Sequence, residues 1–243
     1  MTITEQIVDL SPPPTVAPRV FVVVPAFNEE RTIQSVIDGL RRCGFQRMLV
    51  VDDGSTDQTA MQARLAGAEI VSHLLNRGLG AALGTGIAAA LRLGAEVIVT
   101  CDADGQHDPV DALRALTPVL QGQADVVIGS RLLGAGHMPW RRRVANGIAN
   151  VVTLLLFGIW TTDSQSGLRV FSREAARRIE LSSDGMEVSS EIAGEIARNG
   201  LRCAEIPITS IYTDYSLSKG QGFRMGLRTL GKLILRKAAG RKR

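Results

Sequence analysis

Short, mostly apolar runs at residues 20–24, 48–51, 97–100 and 125–128 are separated by stretches whose apolar residues recur at helical spacing. That alternation restricts the chain to a layered α/β fold with a largely parallel sheet, because parallel neighbours need a long crossover, usually a helix. The run Val20-Phe21-Val22-Val23-Val24 has no polar break, as a strand covered on both faces requires. A helix is predicted over 30–42, where Ile33, Val36, Ile37 and Leu40 share one face, then a strand at 48–51 and a helix reaching Leu65. A strand at 69–71, a helix over 79–93, the strand at 97–100, a helix over 110–120 and the strand at 125–128 follow. Beyond Gly129 the pattern becomes irregular and richer in arginine, as expected of substrate-binding elements laid over the sheet.

Open α/β sheets bind ligands at the carboxyl ends of their strands. Residues 25–29, 52–57 and 102–106 all fall there. The third loop, Cys101-Asp102-Ala103-Asp104-Gly105-Gln106-His107-Asp108-Pro109, is the most informative. Asp102 and Asp104 are separated by one small residue, and Gly105 lets the chain turn so that several oxygens face one point. Two carboxylates so placed are costly neighbours without a cation. Asp108 and Pro109 read differently, as the cap and first residue of the next helix. No glycine-rich phosphate loop follows the first strand; Gly78, Gly80, Gly84 and Gly86 miss the dinucleotide spacing and read as helix-packing positions. A phosphate ligand would therefore be neutralised by a cation on the Asp102 loop, with Arg131 and Lys219 as further positive groups.

Composition narrows the partners. The three cysteines include no C-x-x-C pair, which argues against a disulfide framework or a zinc site. The net charge of +4 gathers at Arg141-Arg142-Arg143 and after Lys219, which fits phosphorylated substrates or anionic lipid. With 4% aromatic residues there is little to stack on bases, so nucleic acid is not an expected partner. Residues 144–160 would make a helix of about 25 Å, short of a hydrocarbon core of about 30 Å, and Asn146, Asn150 and Thr153 form one polar stripe on it. That suits a helix at an interface or against the core. The expected organisation is a flexible leader at 1–18, one domain at 19–215, and a mobile loop with a basic amphipathic tail at 216–243.

The motifs Val22-Val23-Val24-Pro25-Ala26-Phe27-Asn28-Glu29-Glu30, Val50-Val51-Asp52-Asp53-Gly54-Ser55-Thr56-Asp57, Asn76-Arg77-Gly78, the acidic loop and Gly129-Ser130-Arg131 occur in that order. The set resembles inverting family-2 glycosyltransferases of the GT-A fold. Asp163-Ser164-Gln165-Ser166-Gly167-Leu168-Arg169 and Ser218-Lys219 look like the dolichyl-phosphate mannosyltransferase branch, which glycosylates polyprenyl phosphates. The resemblance implies a Rossmann-like three-layer α/β/α domain with a mostly parallel central sheet and C-terminal amphipathic helices. It implies that Pro25, Phe27, Glu29, Val51, Asp53, Asp102 and Ala103 line the nucleotide-sugar site, with Asp53 accepting hydrogen bonds from the base. Asp104 and Gln106 resemble ligands of Mg²⁺ or Mn²⁺, with Asp102 beside them.

On the same reading, Asp104, Arg131 and Lys219 carry catalysis. Arg131, Arg142 or Arg143, and Arg169 face the acceptor phosphate, and Lys219 closes over the donor diphosphate. The implied reaction moves a hexose from a nucleotide sugar to a polyprenyl phosphate with inversion, and no histidine is needed as base. Such an enzyme would sit peripherally at the cytoplasmic face of a membrane, on its own surface or through a separate membrane partner. A glycosyltransferase with a soluble or protein acceptor, and a non-catalytic nucleotide-sugar binder, remain the alternatives.

Overall fold

The apolar runs and the predicted segment at 69–71 are strands, and two further strands join them. β1 (Val20–Ala26), β2 (Arg47–Asp52), β3 (Glu69–Ser72), β4 (Val97–Thr100), β5 (Val126–Ser130), β6 (Arg169–Ser172) and β7 (Cys203–Pro207) form one seven-stranded sheet in the order β3-β2-β1-β4-β6-β5-β7. The computed structural model describes residues 18–134, 138 and 140–211. The expected leader, save Pro18, and the loop and tail expected at 216–243 lie outside the described residues. Every pairing is parallel except those of β6, which runs antiparallel between β4 and β5. The sheet is thus mostly parallel, as the alternation predicts. Its antiparallel strand lies in the region that the sequence leaves irregular.

The period-two alternation of β1 divides the core. Val22 and Val24 face a layer that includes Ile33, Val36 and Ile37 of α1 (Ile33–Arg42) and Ala112 and Ala115 of α4 (Pro109–Leu120). Phe21 and Val23 face Ala82 and Leu83 of α3 (Leu79–Arg92) and Ile192 and Ile196 of α7 (Val188–Arg198). Helices therefore cover both faces of the sheet. The remaining helices are α2 (Thr59–Leu65), α5 (Trp140–Phe157) and α6 (Arg173–Arg178).

α1 starts three residues later than the periodicity predicts because Glu29 and Glu30 are engaged in stitching two loops together. The Glu29 amide donates to Thr59 Oγ1 at 2.7 Å, and the Glu30 carboxylate accepts from the Gln58 amide at 3.1 Å. α4 begins as predicted: Asp108 accepts from the Val110 amide at 2.9 Å, with Pro109 at the first helical position. Gly80 and Gly86 of α3 are packing positions. A Cβ on Gly86 would lie 2.3 Å from Val23 Cγ1, and one on Gly80 would lie 1.8 Å from the Ser183 carbonyl oxygen. Among the described residues no helix is long and apolar enough to cross a membrane.

Candidate active site

The polar loops meet at one edge of the sheet. After β1, Asn28 adopts a positive φ of 55°. Its amide donates to Ser55 Oγ at 3.0 Å and its Oδ1 accepts from the Thr56 amide at 2.9 Å, which joins the loops after β1 and β2. Phe27 stands 43% exposed beside them, and Glu29 is half-buried.

Several residues expected at the nucleotide lie inside. Val51 is fully buried in the core against α3, Pro25 is buried within β1 and Ala103 is packed in the opposite core layer. Strand alternation turns Val51 into one layer, whereas Ala103 packs into the other from the loop after β4. Asp53 is 3% exposed and directs its carboxylate into the protein. Oδ1 accepts from the Arg77 amide at 3.0 Å and meets His73 Nδ1 at 2.6 Å, while Oδ2 accepts from the Gly78 amide at 2.7 Å. Through these bonds Asp53 fixes the 76–78 turn that leads into α3. His73 completes the brace through Thr85 Oγ1, 2.9 Å from Nε2.

Beyond β4 lies the acidic loop. Asp102 is half-buried, with Oδ2 3.2 Å from His107 Nε2. Its carboxylate rests on Gly167, where a Cβ would approach both oxygens to about 2 Å, at 2.1 and 2.2 Å. Burial opposes the Asp102 charge, but the hydrogen bond from His107 and the charges of His107, Arg169 and Arg131 hold its carboxyl below the ordinary value. Asp104 goes the other way: burial first, then the neighbouring Asp102 charge, raise it. Asp104 Oδ1 accepts from the Gln106 amide at 3.0 Å, and the Gln106 side-chain amide donates to Oδ2. Arg142 Nη1 reaches Gln106 Oε1 at 3.5 Å, so α5 touches the acidic loop.

This donor set fits a hard divalent cation. Asp102, Asp104 and Gln106 offer oxygens, and the Asp102 charge that makes ionisation of Asp104 costly would be offset by a cation. Among the described residues no group of three or more His, Cys, Asp or Glu side chains gathers into a complete site. A hard ion such as Mg²⁺ is held by one or two carboxylates and completes its shell with water and substrate phosphate.

Across the edge, Arg131 follows β5 and lies against Asp163, which has no exposed surface. Nε and Nη2 of Arg131 donate to the two carboxylate oxygens at 2.7 and 2.8 Å, and its backbone amide adds a third bond at 3.0 Å. Asn146 of α5 donates to the same carboxylate at 2.9 Å. Asn150, one turn on, donates to the Thr162 carbonyl at 2.6 Å and accepts from the Ser164 amide at 2.9 Å.

Arg169, expected at the acceptor phosphate, is 1% exposed at the start of β6. It is paired in register with Thr100 of β4 on one side and Ile128 of β5 on the other. Nη2 donates to the Ser164 carbonyl at 3.2 Å. Burial pulls its pKa down to about 10, against the pull of the Asp102 and Asp163 charges. The antiparallel strand thus places a buried cation within the field of both Asp102 and Asp163. Arg142 is partly exposed and Arg143 exposed on α5. Lys219 lies outside the described residues.

Asp163, Asn146, Asn150 and Gly167 are site residues to which sequence reasoning gave no role. Asn146 and Asn150 left a signal, since a polar stripe on an otherwise apolar helix must meet polar partners when it is buried. His107, set aside as a base, is the hydrogen-bond partner of Asp102.

The model of glycosyl transferase family 2 matches residues 21–180. The chain is 33% identical over 240 residues to the UDP-N-acetylglucosamine–dolichyl-phosphate N-acetylglucosaminyltransferase of Methanococcus voltae, covering 90% of this chain and 96% of that one. It is 36% identical over 226 residues to the polyprenol monophosphomannose synthase of Mycolicibacterium smegmatis, covering 86% and 84%. Among solved structures, the glucosyl-3-phosphoglycerate synthase of Mycobacterium tuberculosis, in complex with Mn²⁺, UDP and phosphoglyceric acid, has a TM-score of 0.71 at 22% identity, over 91% of this chain and 78% of that one. This last likeness is one of fold.

Proposed function

The chain belongs to glycosyl transferase family 2, and on that premise we propose that it transfers a hexosyl group, with inversion, from a nucleotide sugar of GDP-mannose or UDP-glucose type to a polyprenyl phosphate. The observation that carries this reading is the meeting, at one sheet edge, of an oxygen-rich loop at Asp102, Asp104 and Gln106 with the arginine pair at Arg131 and Asp163. One half suits a donor diphosphate and the other an acceptor phosphate. Relatives whose names specify lipid-phosphate acceptors, at 33% and 36% identity, support that choice of acceptor.

The acceptor itself supplies the nucleophile. A phosphate monoester has a second pKa of about 6 and is mostly dianionic at neutral pH, so its oxygen attacks without a general base. The protein's task is alignment and charge. Asp163 and Asn146 hold Arg131 in a fixed orientation, from which its guanidinium edge would meet the acceptor phosphate. Arg142 would add charge from α5, and Lys219 would close over the donor. Phe27 and Glu29 would flank the nucleotide. Asp104 and Gln106, with Asp102, would hold Mg²⁺ or Mn²⁺, which supplies charge neutralisation for the departing diphosphate. On this reading the enzyme would work peripherally, at the cytoplasmic face of a membrane.

The test is incubation of the full chain with a panel of labelled nucleotide sugars, polyprenyl phosphate and Mg²⁺ or Mn²⁺. Label is expected in the lipid phase, and it should be lost in Asp104→Ala while the circular dichroism stays native. Label found only on a water-soluble acceptor would overturn the lipid reading, and undiminished activity in Asp104→Ala would make the acidic loop structural.

A further inference from the structure

α5 is turned inside out relative to an ordinary surface helix. Asn146, Asn150, Thr153 and Phe157 point inward: the two asparagines bind the Asp163 loop, Thr153 donates to Ser190 Oγ at 3.0 Å, and Phe157 packs where a Cβ on Gly194 would stand. Val144, Ile148, Val151 and Leu155 follow the same spacing displaced by two residues, about 200° around the helix, and point outward. Their exposures are 53%, 52%, 47% and 75%, and Trp140, at 71%, lies on the same line one turn before. This stripe is about 22 Å long. Ordinary amphipathic helices place the polar side in water and the apolar side in the core; here bonding to the site has claimed the polar side and left the apolar one outside.

We propose that this outer face of α5 rests on an anionic phospholipid bilayer. The proposal rests on the lipid-acceptor reading and names the surface that serves it. Charge selects the occupant: α5 contains no acidic residue and begins with Arg141-Arg142-Arg143, of which Arg143 is exposed. A helix with large apolar side chains on one side and an exposed arginine in its first turn is suited to the headgroup boundary of anionic lipid, where such helices sink about 5–10 Å. Position supports the same partner. The inner face of this helix holds, through Asn146 and Asp163, the arginine expected to meet the acceptor phosphate. Seating the outer face in the headgroups brings that arginine to the level where a polyprenyl phosphate presents its charged end, with the hydrocarbon still in the membrane.

The experiment is co-sedimentation of the full chain with vesicles of phosphatidylcholine alone or mixed with phosphatidylglycerol, alongside Ile148→Asn/Leu155→Asn. The wild type is expected to bind the anionic vesicles preferentially. The double variant should bind at least about tenfold more weakly, with an unchanged Tm because both side chains are exposed. Equal binding of the two proteins, or equal binding of the wild type to both vesicle types, overturns the proposal. So does a dimer in light scattering that the variant dissociates, which would assign the face to a second copy, or a lowered Tm without vesicle binding by the wild type, which would assign it to residues 212–243. Transfer to a short-chain polyprenyl phosphate in detergent separates this from the function itself. The variant should retain that activity, and its absence from the wild type would overturn the lipid-acceptor reading while vesicle binding still judges the surface.

Discussion

Arg131 meets Asp163 side-on, with Nε 2.7 Å from one carboxylate oxygen and Nη2 2.8 Å from the other. The carboxylate has no exposed surface, whereas the arginine side chain keeps 19% of its own. The acid is thus a buried support for a cation that reaches solvent. Asparagine at 163 would leave a largely buried guanidinium without its counter-charge, and breaking such a pair costs about 3–5 kcal/mol. Asp163→Asn should therefore lose about 3 kcal/mol in urea denaturation, together with acceptor binding. A loss under about 1 kcal/mol would show the pair behaving as a solvated surface bridge.

Gly167→Ala tests the contact beneath the acidic loop. Its Cβ would stand 2.1 and 2.2 Å from the Asp102 oxygens, so the carboxylate must move. Displacement of about 1 Å at a reacting centre can cost about a hundredfold in rate, and a loss of that order is expected in kcat/KM with little change in Tm. Wild-type kinetics in the variant would show that the position of Asp102 does not matter.

Two glycines of α3 should respond with opposite signs. A Cβ on Gly84 would meet nothing within 4 Å, so Gly84→Ala should stabilise the protein by about 0.5–1 kcal/mol through helix propensity. Gly80→Ala would drive its Cβ to 1.8 Å from the Ser183 carbonyl oxygen and should destabilise by about 1–3 kcal/mol. Parallel thermal melts would decide it, and equal shifts would contradict the packing described for α3.

A pH dependence follows from Asp125, whose carboxylate receives two side-chain bonds and one backbone bond from Arg202 at the start of β7. Those bonds, then the Arg202 charge, lower its pKa below the ordinary 3.8. A depressed carboxylate contributes its stability above the unfolded value and loses it as the pH falls through the folded one. Asp125→Asn should thus have a modestly lower Tm than the wild type at neutral pH, the pair being at the surface, and the gap should close in acid below about pH 3.8. A gap that persists unchanged in acid would assign the effect to something other than the charge.

The chemistry of the site was readable where it depends on neighbours in the chain. Asp102, Asp104 and Gln106 lie within six residues of the end of β4, and Asp108 with Pro109 announces a helix start, so local spacing suffices to gather these groups in one loop. Spacing did not record that Asp53, Val51, Pro25 and Ala103, at or just beyond strand ends, are buried in the layers or bound to a turn of the fold. Proximity to a ligand edge is a property of the chain segment, whereas the direction of a side chain depends on what packs beside it.

The sequence by itself determined the alternating strands and helices, the carboxyl edge at which the polar loops emerge, and the family to which the chain belongs. Each of these is written in local periodicity or in ordered motifs. The tertiary structure alone decided that β6 runs backwards between β4 and β5, which buries Arg169 between the half-sites and sets Asp163 beneath Arg131. It also decided that α5 turns its asparagines inward and its valines and leucines outward. Contacts between residues 131 and 163, or 146 and 163, form only when long connections close, and the polar stripe of α5 shows that one face differs without recording whether the closure will bury it.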